Sequence, residues 1–304
     1  MSSRLDSQSN RVLIGADVGG TNVKYVVLDA AGRSLGQDSI PTDPGDPAGT
    51  IARLADAVGA VEASAVGLAC AGIVSTATGF LGRSPNLPGW ENSNLAGALE
   101  VAFGDVRTAV ANDVNAALFG EFRQGAGRGC RHLVMIALGT GVGGGVLVDG
   151  RLVTGFADAA GEIGHMTLDP DGPPCTCGNP GCLEAYCGSV GLLRRARELA
   201  TDSGSTDAWR AMVAARGPQL TTRHCAELAA ANDESALALF AGAGRRLGQA
   251  VASLVNARAP DRVIVGGGVA QAGELFLAPC REIVARFVMS EAGRATPVVA
   301  AELG

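Results

Sequence analysis

One pattern constrains the fold more than any other: a strand, a glycine turn and a second strand, written twice. Residues 12–33, "VLIGADVGGTNVKYVVLDAAGR", are an apolar β-branched run, a Gly-Gly-Thr turn and a second apolar run. Residues 133–151, "LVMIALGTGVGGGVLVDGR", repeat that order and close on a similar ending, D-G-R against D-A-A-G-R. Apolar runs bounded by glycine read as strands of a hairpin. Two such units in 304 residues predict a duplicated strand–turn–strand core, one copy per lobe.

Between and after the echoes the signals alternate. "AAGRSLGQDSIPT" predicts a third strand, and "DPAGTIARLADAVGAV" a helix from near Pro47 to near Gly59. "AVGLACAGIVS" reads as a buried strand, and "VRTAVANDVNAALFGEFRQGAG" as a strand, a turn at Asn112–Asp113 and a helix. "SALALFAGAGRRLGQAVASLVNARAP" is a long helical pattern, followed by a strand "DRVIVGG" and a glycine turn. Strands alternating with helices predict an α/β fold.

Several classes of protein are disfavoured. The net charge is −6, so no basic excess neutralises phosphates, and no nucleic-acid partner is expected. No apolar run approaches the ~20 residues of a membrane helix, so no membrane partner is expected either. "MSSRLDSQSNR" lacks the apolar core of a signal peptide, and a cytoplasmic location is the expectation. Lys24 is the single lysine, so no G-x-x-x-x-G-K-[ST] phosphate loop can be built.

Gly139–Gly144 fits G-x-G-x-x-G, but a strand follows where a dinucleotide-binding turn requires a helix. Each glycine turn reads equally as a plain hairpin or as an anion cradle, since close turns present backbone N–H groups. Two turns with Gly-Thr pairs, Gly20-Thr21 and Gly139-Thr140, favour phosphate. Asp17 before the first turn suits a hydrated Mg²⁺.

Residues 161–188, "GEIGHMTLDPDGPPCTCGNPGCLEAYCG", concentrate soft ligands. His165, Cys175, Cys177 and Cys182 give H-x9-C-x-C-x4-C, a donor set suited to a closed tetrahedral zinc site. Disulfides are the competing reading, disfavoured in a reducing compartment. Cys187 is read as packing against the following helix, and Cys70, Cys130, Cys225 and Cys280 as small buried hydrophobes. Asn112 and Asp113 fit helix capping, or the polar groups of a site; both readings stand at this point.

"GADVGGTNVKYVVLD", "NDVNAALFGE", "LGTGVGGG", "GEIGH", "CTCGNPGCLE" and "VIVGGGV" occur in the order seen in the ROK family of sugar kinases, and the chain resembles that family from about residue 11 to its end. The resemblance implies a two-lobed actin/hexokinase-like (ribonuclease H-like) fold. A smaller lobe would span 1–117 and a larger one 118–304. It implies ATP-dependent 6-phosphorylation of a glucose-type hexose: glucose, or an amino or N-acetylamino hexose such as kanosamine or N-acetylmannosamine.

In that scheme Asp113 is the general base. Asn86, Asn112, Asp113, Glu162, His165 and Glu184 line the sugar, and Gly72 allows close approach to it. Asp17 holds Mg²⁺. Gly19, Gly20, Thr21 and Asn22, with Gly139, Thr140 and Gly141, cradle the ATP phosphates, while Gly267 and Gly268 contact the adenosine. His165, Cys175, Cys177 and Cys182 hold a structural Zn²⁺. Family members are often dimers, so a homodimer is among the expectations. Two alternatives come with the family: a sugar-responsive regulator, which is disfavoured by the short polar stretch before the first strand, and a non-catalytic sugar sensor, which has no need of Asp17 and Asp113.

Overall fold

The computed structural model describes residues 11–303; the polar stretch before Arg11, read above as no signal peptide, lies outside the described residues. The chain divides into two compact units. One takes residues up to Ala116 with Thr154–Ala159, the other Ala117–Val153 and the residues from Ala160 onward.

The first unit is built on hydrophobic alternation. Strand β1 (Val12–Val18) buries Val12, Ile14, Ala16 and Val18, every second residue. β2 (Asn22–Leu28) returns antiparallel, with Val18 opposite Val23 and Asp17 opposite Lys24, and β3 (Ser34–Pro41) pairs on its outer side. Helix α1 (Pro47–Val58) starts where the Asp46 carboxylate accepts the Gly49 amide and Pro47 fills the first turn. It stops at Gly59, whose φ of +76° ordinary side chains disfavour.

β4 (Ala63–Cys70) then runs parallel to β1. A short ribbon of β5 (Phe80–Leu81) and β6 (Ser93–Asn94) leads to α2 (Leu95–Phe103), capped by the Asn94 side chain. β7 (Arg107–Asn112) runs parallel to β4, giving the sheet order β3-β2-β1-β4-β7. Ile51 and Leu54 of α1 and Leu95 and Leu99 of α2 form one buried cluster with the alternating β1 residues. Helix α3 (Asp113–Gln124) follows β7 directly, and the boundary between the units falls within it.

The second unit repeats the plan. β8 (Leu133–Leu138) and β9 (Val142–Val148) form an antiparallel hairpin, and β10 (Arg151–Leu152) pairs on the far side of β9. After the cysteine loop come α4 (Glu184–Cys187), α5 (Ser189–Thr201), α6 (Asp207–Arg216), α7 (Thr222–Ala230) and α8 (Glu234–Arg258). β11 (Arg262–Gly266) runs parallel to β8. After α9 (Glu274–Phe287) and α10 (Glu291–Arg294), β12 (Val298–Ala300) runs parallel to β11.

The order β10-β9-β8-β11-β12 matches the first sheet strand for strand. The echo in the sequence is therefore a repeat of topology. Helices α8 and α9 pack closely because glycine lets them: a Cβ at Gly244 would lie 2.6 Å from the Phe276 carbonyl, and one at Gly248 2.7 Å from that of Cys280. The Cys187 thiol, expected against the following helix, reaches the Ala243 carbonyl of α8 at 3.3 Å.

Candidate active site

In the first unit the parallel strands β1, β4 and β7 end together, with Val18 beside Cys70 and Cys70 beside Asn112. Parallel strands in α/β sheets carry ligand groups at their C-terminal ends. Asp17 is the penultimate residue of β1, and Asp113 opens α3 immediately after β7. Burial, and next the charge of Asp113, pushes the Asp17 carboxyl above its ordinary range; Lys24 on the neighbouring strand opposes the rise. Burial likewise raises Asp113, against the pull of the Val114 amide, its own amide and Asn112. Burial and these two carboxylates push the Cys70 thiol up to about 12.

Asn112 does what the capping reading foresaw. Its Oδ1 accepts the amides of Val114 (3.0 Å) and Asn115 (3.1 Å), and its Nδ2 donates to the Gly72 carbonyl at 3.1 Å. Asp113 Oδ1 accepts the Val114 amide at 2.9 Å. The first glycine turn closes through the Gly19 amide to the Asn22 carbonyl (3.0 Å), and the Thr42 hydroxyl donates to the Gly19 carbonyl at 2.8 Å. A Cβ at Gly20 would lie 3.6 Å from the Asn86 carbonyl, so the exposed Asn86 sits beside that turn. Gly72 has φ +118°, and a side chain there would meet the Arg83 carbonyl at 2.5 Å. Its small size thus answers to the protein's own backbone, which the sequence reading did not anticipate.

In the second unit the Gly139–Gly141 turn closes through the Gly139 amide to the Gly141 carbonyl at 2.9 Å. Gly267, φ +89°, lies against the end of β8: a Cβ there would sit 2.5 Å from the Leu138 carbonyl. The Gly267–Gly268 turn and the Gly139–Gly141 turn are therefore neighbours. Glu184 joins this group. Its Oε2 accepts the Val142 amide at 3.0 Å, and its Oε1 accepts the Thr176 hydroxyl at 2.7 Å and the Cys175 thiol at 3.4 Å. Burial works against ionisation of Glu184, but these donors and His165 overcome it and hold the carboxyl below its ordinary range.

His165, Cys175, Cys177 and Cys182 come together, with their ligand atoms all within 4.8 Å of one another. Cys177 Sγ and Cys182 Sγ are 3.7 Å apart, as are Cys175 Sγ and His165 Nδ1. A disulfide requires about 2.05 Å, so the disulfide reading is out for this pair. Tetrahedral zinc with Zn–S near 2.3 Å places its sulfurs about 3.8 Å apart. The donor set and spacing fit zinc. His165 Nδ1 faces the sulfurs, and its Nε2 lies 4.0 Å from Glu162 Oε2. The loop is tight: a Cβ at Gly181, φ +64°, would fall 1.6 Å from the Asp169 carbonyl.

The sequence reading missed Thr176, Thr42 and Lys24. Thr176 could have been found, since it lies between two of the proposed zinc ligands. The partnership of Thr42 with Gly19 spans 23 residues and leaves no local trace.

The model of the ROK family matches residues 13–304. A glucokinase of Halalkalibacterium halodurans is 35% identical over 285 residues, covering 90% of this chain and 85% of that protein. A kanosamine kinase of Amycolatopsis mediterranei is 32% identical over 264 residues, covering 84% and 80%. Among solved structures, a ROK family glucokinase from Streptomyces griseus in complex with glucose and AMPPNP superposes with a TM-score of 0.81. It is 33% identical, with 96% of this chain and 95% of that one covered.

Proposed function

This chain belongs to the ROK family and is a hexose kinase, and from that premise we propose that it transfers the γ-phosphoryl group of ATP to the 6-hydroxyl of a glucose-type hexose, with Asp113 as general base. The observation that carries the reading is the pairing of Asp113 with Asp17 at the shared ends of β1, β4 and β7. Phosphoryl transfer asks for a positioned hydroxyl, a proton acceptor and charge neutralisation. Asp113 accepts the 6-hydroxyl proton; a buried carboxyl of raised pKa is a better proton acceptor than a solvated one. Asp17 would hold Mg²⁺, which when bound would offset charge on the phosphates.

In this reading residues 1–117 form the lobe with the first phosphate turn, Gly19–Asn22, and the base. Residues 118–304 carry the second turn, Gly139–Gly141, the adenosine turn at Gly267–Gly268 and the cysteine loop. Asn86, Asn112, Glu162, His165 and Glu184 line the sugar. Zinc on His165, Cys175, Cys177 and Cys182 is structural: with all four positions filled by protein it has none open for chemistry, and it fixes the loop that bears Glu162 and Glu184. The substrate is glucose or an amino hexose; similarity to a glucokinase and to a kanosamine kinase supports both. The enzyme acts in the cytoplasm; among the described residues no helix is long and apolar enough to cross a membrane.

The test is a coupled ADP-release assay over glucose, mannose, glucosamine, N-acetylglucosamine, N-acetylmannosamine and kanosamine, with Asp113→Ala as control. Turnover with one sugar that vanishes in the variant supports the reading and names the substrate. ADP release that no sugar stimulates, in zinc-loaded folded protein, overturns it in favour of a sugar sensor.

A further inference from the structure

A cavity lies in the second unit, between α4, α5 and α8. Its volume is about 440 Å³, within the range of small-molecule pockets. Its wall is apolar at Leu192, Leu199 and Leu239, yet Arg194, Arg195, Arg245 and Arg246 all line it. In a chain of net charge −6, four guanidinium groups round one cavity form a local exception.

Their own carboxylates offset them only in part. Glu198 is shared by Arg194 and Arg195, and Arg195 has a second, looser partner in Asp202 at 3.7 Å. Arg246 lies 3.5 Å from Asp169 and 4.6 Å above the Tyr186 ring. Arg245 is exposed and, among the described residues, enters none of the ion pairs. Half-exposed pairs of this kind hold their charges weakly, which leaves guanidinium donors free for an added anion.

We propose that this cavity binds a small organic phosphate: Arg245 and Arg246 take the phosphate oxygens, and the leucine wall takes the apolar body. Guanidinium groups match phosphate in pairs of parallel hydrogen bonds. The cavity uses none of the groups assigned to catalysis, so the proposal stands apart from the kinase reading. It does reach the cysteine loop. Ala185 and Tyr186, the two residues after Glu184, line it, as does Pro173, two residues before Cys175. An occupant would therefore bear on the segment that positions Glu184.

The test is titration calorimetry on the zinc-loaded full chain, with phenyl phosphate and inorganic phosphate as probes. Phenyl phosphate should bind saturably and more tightly than inorganic phosphate. Arg245→Ala should weaken it about tenfold, and Arg245→Ala/Arg246→Ala should abolish it. Hexose-dependent ADP release should persist in both variants, which separates this site from the catalytic one. Arg245 is exposed, so the single variant keeps the test intact should the double variant fail to fold. Absence of saturable binding, or equal binding by wild type and Arg245→Ala, would overturn the site. Equal affinity for the two probes would overturn the organic part of the assignment.

Discussion

Glu184 and Val142, 42 residues apart in sequence, meet through a carboxylate–amide hydrogen bond of 3.0 Å. Val142 is the first residue after the second glycine turn, and the other oxygen of Glu184 accepts the Thr176 hydroxyl inside the cysteine loop. One side chain thus fixes a proposed phosphate cradle to a proposed zinc loop. Glu184→Gln puts an amide NH₂ against one of these donors. Charge-assisted hydrogen bonds contribute about 1.5–3 kcal/mol, so kcat/KM should fall by roughly 10- to 100-fold. Zinc content should stay at one per chain. Gly141→Ala should act in the same direction, because its Cβ would lie 2.3 Å from Glu184 Oε2. Steady-state kinetics beside metal analysis decides the point; wild-type kinetics in Glu184→Gln would refute it.

As the proposed general base, Asp113 would tie catalysis to pH and to stability with opposite signs. Burial raises its carboxyl above the ordinary value of 3.8. The folded state therefore binds its proton more tightly than the unfolded state, and stability falls as pH rises from 3.8 through the raised value. At neutral pH the ionised carboxylate is a standing cost. Asp113→Asn removes that cost while its amide oxygen still accepts from Val114. Its Tm should exceed that of wild type at pH 7, with the gap closing as pH falls toward 4. Its kcat should drop by about 10²- to 10⁴-fold, the range of a lost general base. Differential scanning fluorimetry across pH, with kinetics at pH 7, checks both; a lower Tm at pH 7 would remove the burial argument.

Much of this was legible because it is local. Glycine between β-branched runs gives both hairpins, Pro47 marks a helix start, and the H-x9-C-x-C-x4-C spacing gathers four ligands within one loop. What escaped depends on contacts across the chain. Asn112 read as a cap or as a ligand, with capping favoured by the residues alone; only with β7 running directly into α3 does its Oδ1 meet the amides of Val114 and Asn115. Gly72 read as allowing close approach to a sugar; the Arg83 carbonyl, 2.5 Å from where its Cβ would lie, is a second reason for glycine that no local pattern shows. The two engaged oxygens of Glu184 follow from the seating of α4 against the second hairpin, which no spacing in the sequence encodes.

Cys182 is fully buried, so a thiolate there needs a metal to balance its charge. Cys182→Ser should lose zinc, as read by metal analysis, and lower the Tm by several degrees. Both Cys182→Ser and chelation of wild-type protein should lower activity, and added zinc should restore it in wild type alone. Full activity in demonstrably zinc-free protein would show that the loop holds its shape without the ion.

Glu121 of α3 is 1% exposed, yet its carboxylate is fully engaged. Oε2 accepts the Ala126 amide at 2.7 Å, and Oε1 accepts the amides of Glu302 (2.9 Å) and Leu303 (2.8 Å). One buried side chain therefore closes the loop after α3 and anchors the segment after β12, 181 residues away in sequence. Removing it strands the buried Ala126 amide, at about 1–3 kcal/mol, and releases the amides of Glu302 and Leu303, which belong to exposed residues and can turn to water. Glu121→Ala should lose about 1–3 kcal/mol, seen as a lower urea midpoint. Glu121→Gln retains one acceptor oxygen and shape, and should lose about half as much. If the two variants are equally stable, water reaches the stranded amide, and the carboxylate is not what holds the chain after β12 in place.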